Sequence, residues 1–166
     1  MKRIIFLAVA MFCSFLSVFG ANSGPKFYHS VPVSYEYSYS GMMRDPIDWY
    51  SVRTEEGVGV TISYSHDGPE ITVIKAPEGL LEKIGEIACS SKLYKLKASY
   101  RPKVDVLDGY GWFMSIRYKD DSIWSGGSNA WPPSKLWGGI AAINQLVVKA
   151  IENASGEDIL RHESRY

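Results

Sequence analysis

The chain makes one statement twice: strand, turn, strand, proline-bearing connection, helix. The first copy is "VTISYSHDGPEITVIKAPEGLLEKIGEI" and the second "WFMSIRYKDDSIWSGGSNAWPPSKLWGGIAAI". In each, apolar residues first recur every second position and then every third or fourth, which marks the passage from strand to helix. Val58, Val60, Ile62 and Tyr64 line one strand face. His66-Asp67-Gly68-Pro69 turns the chain, Glu70 to Lys75 returns, and Leu80, Leu81, Ile84, Ile87 and Ala88 repeat at helical spacing. Pro77 suits the first helical turn, where its missing N–H leaves no bond unmade. In the second copy Trp112, Met114, Ile116 and Tyr118 share a face, Lys119-Asp120-Asp121 turns, and Ser122 to Ser125 returns. Leu136, Ile140, Ile143, Val147 and Ala150 then form a helical stripe. Two further alternating runs, Val33 to Ser40 and Tyr50 to Glu55, precede both copies. Identity between the copies is low, so a pseudo-repeat and simple convergence both stand. Antiparallel strands with two helices on one face predict an α+β fold, a two-layer sandwich.

The ends of the chain read differently. Met1-Lys2-Arg3, an apolar run to Phe19 and small residues near Gly20 have the order of a secretory signal peptide, assigned to 1–21. A membrane anchor is the alternative, against which stand the shortness of the run and the serines within it. Cys13 raises lipidation, but bulky Phe12 suits that cut poorly. Residues 22–32 read as a flexible leader, 33–153 as one domain, and 154–166 as a polar, frayed tail. Removal of Lys2 and Arg3 with the signal leaves 16 Lys and Arg against 18 Asp and Glu, a formal charge of −2. That gives no electrostatic footprint for nucleic acid. Cys89 alone remains, so no internal disulfide is expected and the setting reads as a bacterial periplasm or cell surface, with no membrane span in the mature chain.

The stretch "VLDGYGWFMSIRYKDDSIWSGGSNAWP", after a leucine-rich helix ending in "LYKL", resembles a group of exported bacterial α+β domains. These carry a strand with a D-G turn, then S-G-G-x-N-A-[WY]-P, then a helix. Here Asp121 takes the place of the turn glycine. The resemblance spans roughly residues 60 to 150 and implies the fold and the exported setting; the group brings no activity with it.

Signals for catalysis are sparse. No G-x-S-x-G elbow occurs. Cys89, beside Ile87 and Ala88, reads as a buried structural cysteine. His29, His66 and His162 are scattered, and no D-x-[DN]-x-[DN]-G loop is present, so no cofactor or metal is expected. Asp45 and Asp48 bracket Pro46-Ile47 beside Trp49, and Asp120-Asp121 form a turn. Paired carboxylates near an aromatic offer an alternative function, a small hydrolase acting on glycan or peptidoglycan. The main expectation is a non-catalytic binding module. Its partner would be a glycan, a peptide or an envelope protein. Eleven Tyr and five Trp are generous for this length, and such side chains dominate recognition surfaces. Tyr35, Tyr37 and Tyr39 share one strand face. With Trp49 they form the candidate platform, provided the helices cover the opposite side of the sheet. The run "SGGSNAWPP" reads as a structural corner in which Ser134 caps the helix, Gly127 takes a positive φ and Trp131 plugs the gap between helix and sheet.

Overall fold

The computed structural model describes residues 29–41, 47–66, 69–104, 106 and 109–164; the signal peptide, most of the leader and Asp45 lie outside them. Eight strands and two helices follow in the order β1 (Ser34–Ser40), β2 (Trp49–Glu55), β3 (Gly59–Ser65), β4 (Glu70–Lys75), α1 (Leu80–Ser90), β5 (Ser99–Tyr100), β6 (Gly111–Arg117), β7 (Ser122–Ser128), α2 (Ser134–Glu152) and β8 (Ile159–Ser164). The fold is α+β. One open sheet runs β5-β7-β6-β1-β2-β3-β4-β8, antiparallel except where β5 meets β7. Among the described residues no helix is long and apolar enough to cross a membrane.

The period-two runs set the register. Ile123, Ile116, Tyr35, Val52, Ile62 and Ile74 are successive cross-strand partners and are all buried. A one-residue slip would turn this row to the opposite face, so burial fixes the pairing. The same core takes Leu80, Leu81, Ile84 and Ala88 from α1 and Ile140, Ile143, Val147 and Ile151 from α2. The centre of each expected stripe is buried, while Ile87, Leu136 and Ala150 at the stripe edges are only partly so and Ile151 takes the last buried place. The helices approach closely where Gly139 faces Ser91 and Leu93, leaving no room for a Cβ.

Four expectations are corrected. The polar tail forms β8, an edge strand paired with β4. Its alternation is carried by charged and polar residues, as edges often are, and so did not stand out as a strand. Arg161 anchors it through the Glu55 carboxylate at 3.0 Å. Ser155 and Asp158 form a reciprocal cap just before it. The end of the leader is docked: Pro32 is buried, and a Cβ on Gly85 of α1 would meet its Cδ at 2.8 Å. Ser134 is the first helical residue of α2, and the cap position falls to Pro133.

The fourth correction concerns the corner after β7. Gly127 holds no positive φ; Asn129 does, at 51°. A Cβ on Gly127 would strike the Ala130 carbonyl and the Trp112 indole. The glycine is therefore required by close approach, with φ ordinary. Asn129 and Tyr110 exchange bonds, through Asn129 N–H to the Tyr110 carbonyl at 2.8 Å and Tyr110 N–H to Asn129 Oδ1 at 2.9 Å. The plug is Trp112, buried, with Nε1 donating to the Ala130 carbonyl at 2.8 Å. Trp131 is 43% exposed and meets only the edge of Trp137 among the described rings.

Candidate functional site

A second cross-strand row builds the site. Tyr37 pairs with Tyr50 and Tyr50 with Tyr64, so three tyrosines stand side by side over β1, β2 and β3. Tyr37 and Tyr50 stack with ring centroids 5.6 Å apart, and Tyr35 tilts against Tyr50 at 6.2 Å. These aromatics fit a pleated surface on packing grounds. Their hydroxyls need polar company wherever they are buried. Asn144 of α2 supplies part of it: the Tyr35 hydroxyl donates to Asn144 Oδ1 at 2.6 Å. Asn144 lies beside Ile143, four residues after Ile140 and three before Val147, at the border of the apolar stripe. Burial pushes the Tyr35 hydroxyl well above its ordinary pKa; the Tyr37 phenol adds to the shift and the Tyr50 hydroxyl opposes it. Tyr35 therefore stays a neutral donor at physiological pH.

Where the sheet and the second half of α2 diverge, a cavity of about 670 Å³ opens to solvent. Tyr37, Tyr50 and Tyr64 line its sheet side; Asn144, Gln145 and Lys149 line its helix side. His66 stands edge-on to Tyr64, 5.2 Å between centroids, at the mouth. Lys149 and Glu152 bring opposite charges to the rim, so the wall favours neither sign. Aromatic surface with a few convergent polar groups is the usual make-up of a small-molecule site.

The four residues expected to form a platform separate. Tyr35 is wholly buried. Tyr37 is 8% exposed and lines the cavity. Tyr39 is half-buried and stacks on Tyr110 at 6.0 Å. Trp49 pairs with Ser38, not with a tyrosine, and so points to the opposite face, where its Nε1 donates to Glu36 Oε1 at 3.0 Å. The open platform required helices over the other face; Asn144 reaching Tyr35 places α2 over the tyrosines themselves. Tyr50, Tyr64 and Asn144 were not marked as site residues. Tyr50 and Tyr64 are joined to Tyr37 only by register, across gaps of about a dozen residues. The legible sign was the Asn144-Gln145 pair inside the apolar run "GGIAAINQLVV".

Other groupings carry less chemistry. On the face bearing Trp49, Phe113 is 37% and Trp124 56% exposed. Cys89 is half-buried, not buried as expected, with Sγ 3.6 Å from His29 Nδ1 in a recess of about 590 Å³. It sits near the carbonyl end of α1, and Glu82 and Glu86 share its wall with His29 and Lys92, so the recess is of mixed charge and lacks the clear positive excess that activates a catalytic thiol. Asp48 neighbours the Ser38 end of β1, whereas Asp120 and Asp121 neighbour its Ser34 end. At about 3.4 Å per residue that separates the two groups by roughly 14 Å, beyond the spacing of a carboxylate pair in glycoside cleavage. Among the described residues no three His, Cys, Asp or Glu side chains gather closely enough to hold a metal ion. The chain matches no family model, no curated protein and no solved structure.

Proposed function

We propose that the chain is an exported bacterial envelope protein acting as a non-catalytic binding module, with its ligand seated in the cleft between β1–β3 and α2. One observation carries this reading: the α2 contact with the sheet brings three tyrosines in register and an amide together beside an open cavity, whereas the side chains that α1 buries are all apolar. Shape and chemistry together favour a ligand over mere packing, since an apolar contact there would hold the helix equally well. Export draws its support from the basic, apolar and small-residue order of residues 1–21. We also read the two helices as the second layer of a sandwich and the two halves as a pseudo-repeat. The sheet order supports this, because β6 and β7 flank β1 as β3 and β4 flank β2, each pair followed by its helix.

The test is a titration of isotope-labelled protein with soluble peptidoglycan fragments, oligosaccharides and short peptides, followed by amide NMR. Shifts clustered at Tyr37, Tyr64, His66, Asn144 and Gln145 are expected. Shifts confined to the Trp49, Phe113 and Trp124 face, or none with any member of the panel, would overturn the reading. Export is checked separately: the mature chain expressed in a bacterium should begin near Ala21 or Asn22, and an intact Met1 in the envelope would contradict it.

A further inference from the structure

The cleft contains one group whose direction is fixed. Tyr35 is wholly buried and keeps its proton, and a buried O–H requires an acceptor. That acceptor is Asn144 Oδ1, at 2.6 Å. The amide is thereby turned so that Nδ2 is its available end. Asn144 makes no other hydrogen bond to the described residues, and its side chain lines the cavity. An amide nitrogen has two N–H donors and no acceptor capacity. A ligand meeting it must therefore bring an acceptor oxygen.

Resting on the binding-module reading, we propose that the cleft takes a neutral saccharide unit, its acceptor oxygen held by the Asn144 amide and its ring face laid on Tyr64. The acceptor is either an acetamido carbonyl or a ring hydroxyl. Tyr64 is only half-buried and is propped edge-on by His66, so it offers an aromatic wall of fixed orientation. Lys149 and Glu152 oppose each other at the rim, which selects for no ionic ligand. A volume of about 670 Å³ accommodates one or two sugar rings. A peptide fits less well. The floor strands β1, β2 and β3 are each paired on both sides, so no backbone edge is open for strand addition.

The experiment uses three probes on the wild-type protein, by amide NMR and calorimetry: the trimer of N-acetylglucosamine, maltotriose and tri-alanine. Saccharide binding at Asn144 and Tyr64 is expected. Response to the N-acetylglucosamine trimer alone assigns the acetamido carbonyl; response to both sugars assigns a ring hydroxyl. Asn144→Asp preserves the acceptor for Tyr35 but replaces the N–H donors with a second acceptor, and should weaken saccharide binding at least tenfold at an unchanged fold. Tyr64→Leu keeps the cleft filled but removes the aromatic face, and should weaken it about tenfold even if the Asn144 variant folds poorly. Wild-type affinity in both variants overturns the proposal. So does a cleft that responds to tri-alanine and to neither sugar, which would leave the broader reading standing. Silence to all three overturns the saccharide assignment, and the wider panel then decides the reading beneath it.

Discussion

The two helices contribute to one core and do so differently. α1 buries Leu80, Leu81, Ile84 and Ala88, with no buried polar side chain among them. α2 begins the same way with Ile140 and Ile143, but beside them Asn144 reaches Tyr35, and the contact opens into the tyrosine-lined cavity. The dry contact does what a core contact must. The wet one holds polar groups whose burial gains little stability over well-packed apolar ones. The difference lies in what each contact encloses: α1 closes the core, and α2 closes it and leaves a cleft.

The largest effect should come from the corner that aims α2. Trp112→Ala removes a buried indole and leaves the Ala130 carbonyl unbonded, at a cost of about 3–5 kcal/mol in denaturant melts. Trp131→Ala, at a half-exposed residue, should cost well under 1 kcal/mol. Equal losses would mean that the corner is not held by Trp112. Ile84→Ala should cost about 2–5 kcal/mol, since it empties the dry contact of α1. It should leave ligand-induced shifts at Asn144 unaltered, and a binding defect there would blur the contrast between the helices. Gly127→Ala should cost about 1–3 kcal/mol through overpacking against Ala130 and Trp112. The smallest effect is one of pH. Hydrogen bonding from Arg161 holds the Glu55 carboxyl below its ordinary pKa, and the Ser155 N–H and hydroxyl do the same for Asp158. A depressed carboxyl stabilises the fold fully above its unfolded pKa and ceases to as pH falls through the lower, folded one. The protection factors of the β8 amides, taken relative to the intrinsic exchange rate at each pH, should therefore fall below the ordinary carboxylate range while those of the Ile62 row hold. A uniform fall would show that β8 is not held by these groups.

Much of the fold could be read from periodicity. The register-independent features, two helical stripes and six alternating or apolar runs, were legible because each lies within one element; the two-residue β5 is too short to show a period. β8 was not, because charged Arg161 and Glu163 carry its alternation and only the neighbouring β4 makes it a strand. Of the candidate site, the aromatic composition was legible and the position was not. An abundance of tyrosine pointed to an aromatic surface, and Tyr37 belongs to it. The row Tyr37–Tyr50–Tyr64 exists only after three strands pair, and no spacing along the chain announces it. Trp49 was grouped with the tyrosines by proximity in sequence, and one step of register carries it to the other face.

The central claim is that the polar groups under α2 serve a ligand and not the fold. The double variant Tyr35→Phe with Asn144→Leu removes both partners of the 2.6 Å bond and fills the contact with apolar atoms. Replacing both members of a buried pair is close to neutral, whereas removing one leaves the other orphaned at about 1–3 kcal/mol. Denaturant melts and titration with the N-acetylglucosamine trimer are made on the same sample. The account requires stability within about 1 kcal/mol of wild type together with loss of the cleft shifts. A double variant that loses several kcal/mol, or that binds as wild type does, would contradict it.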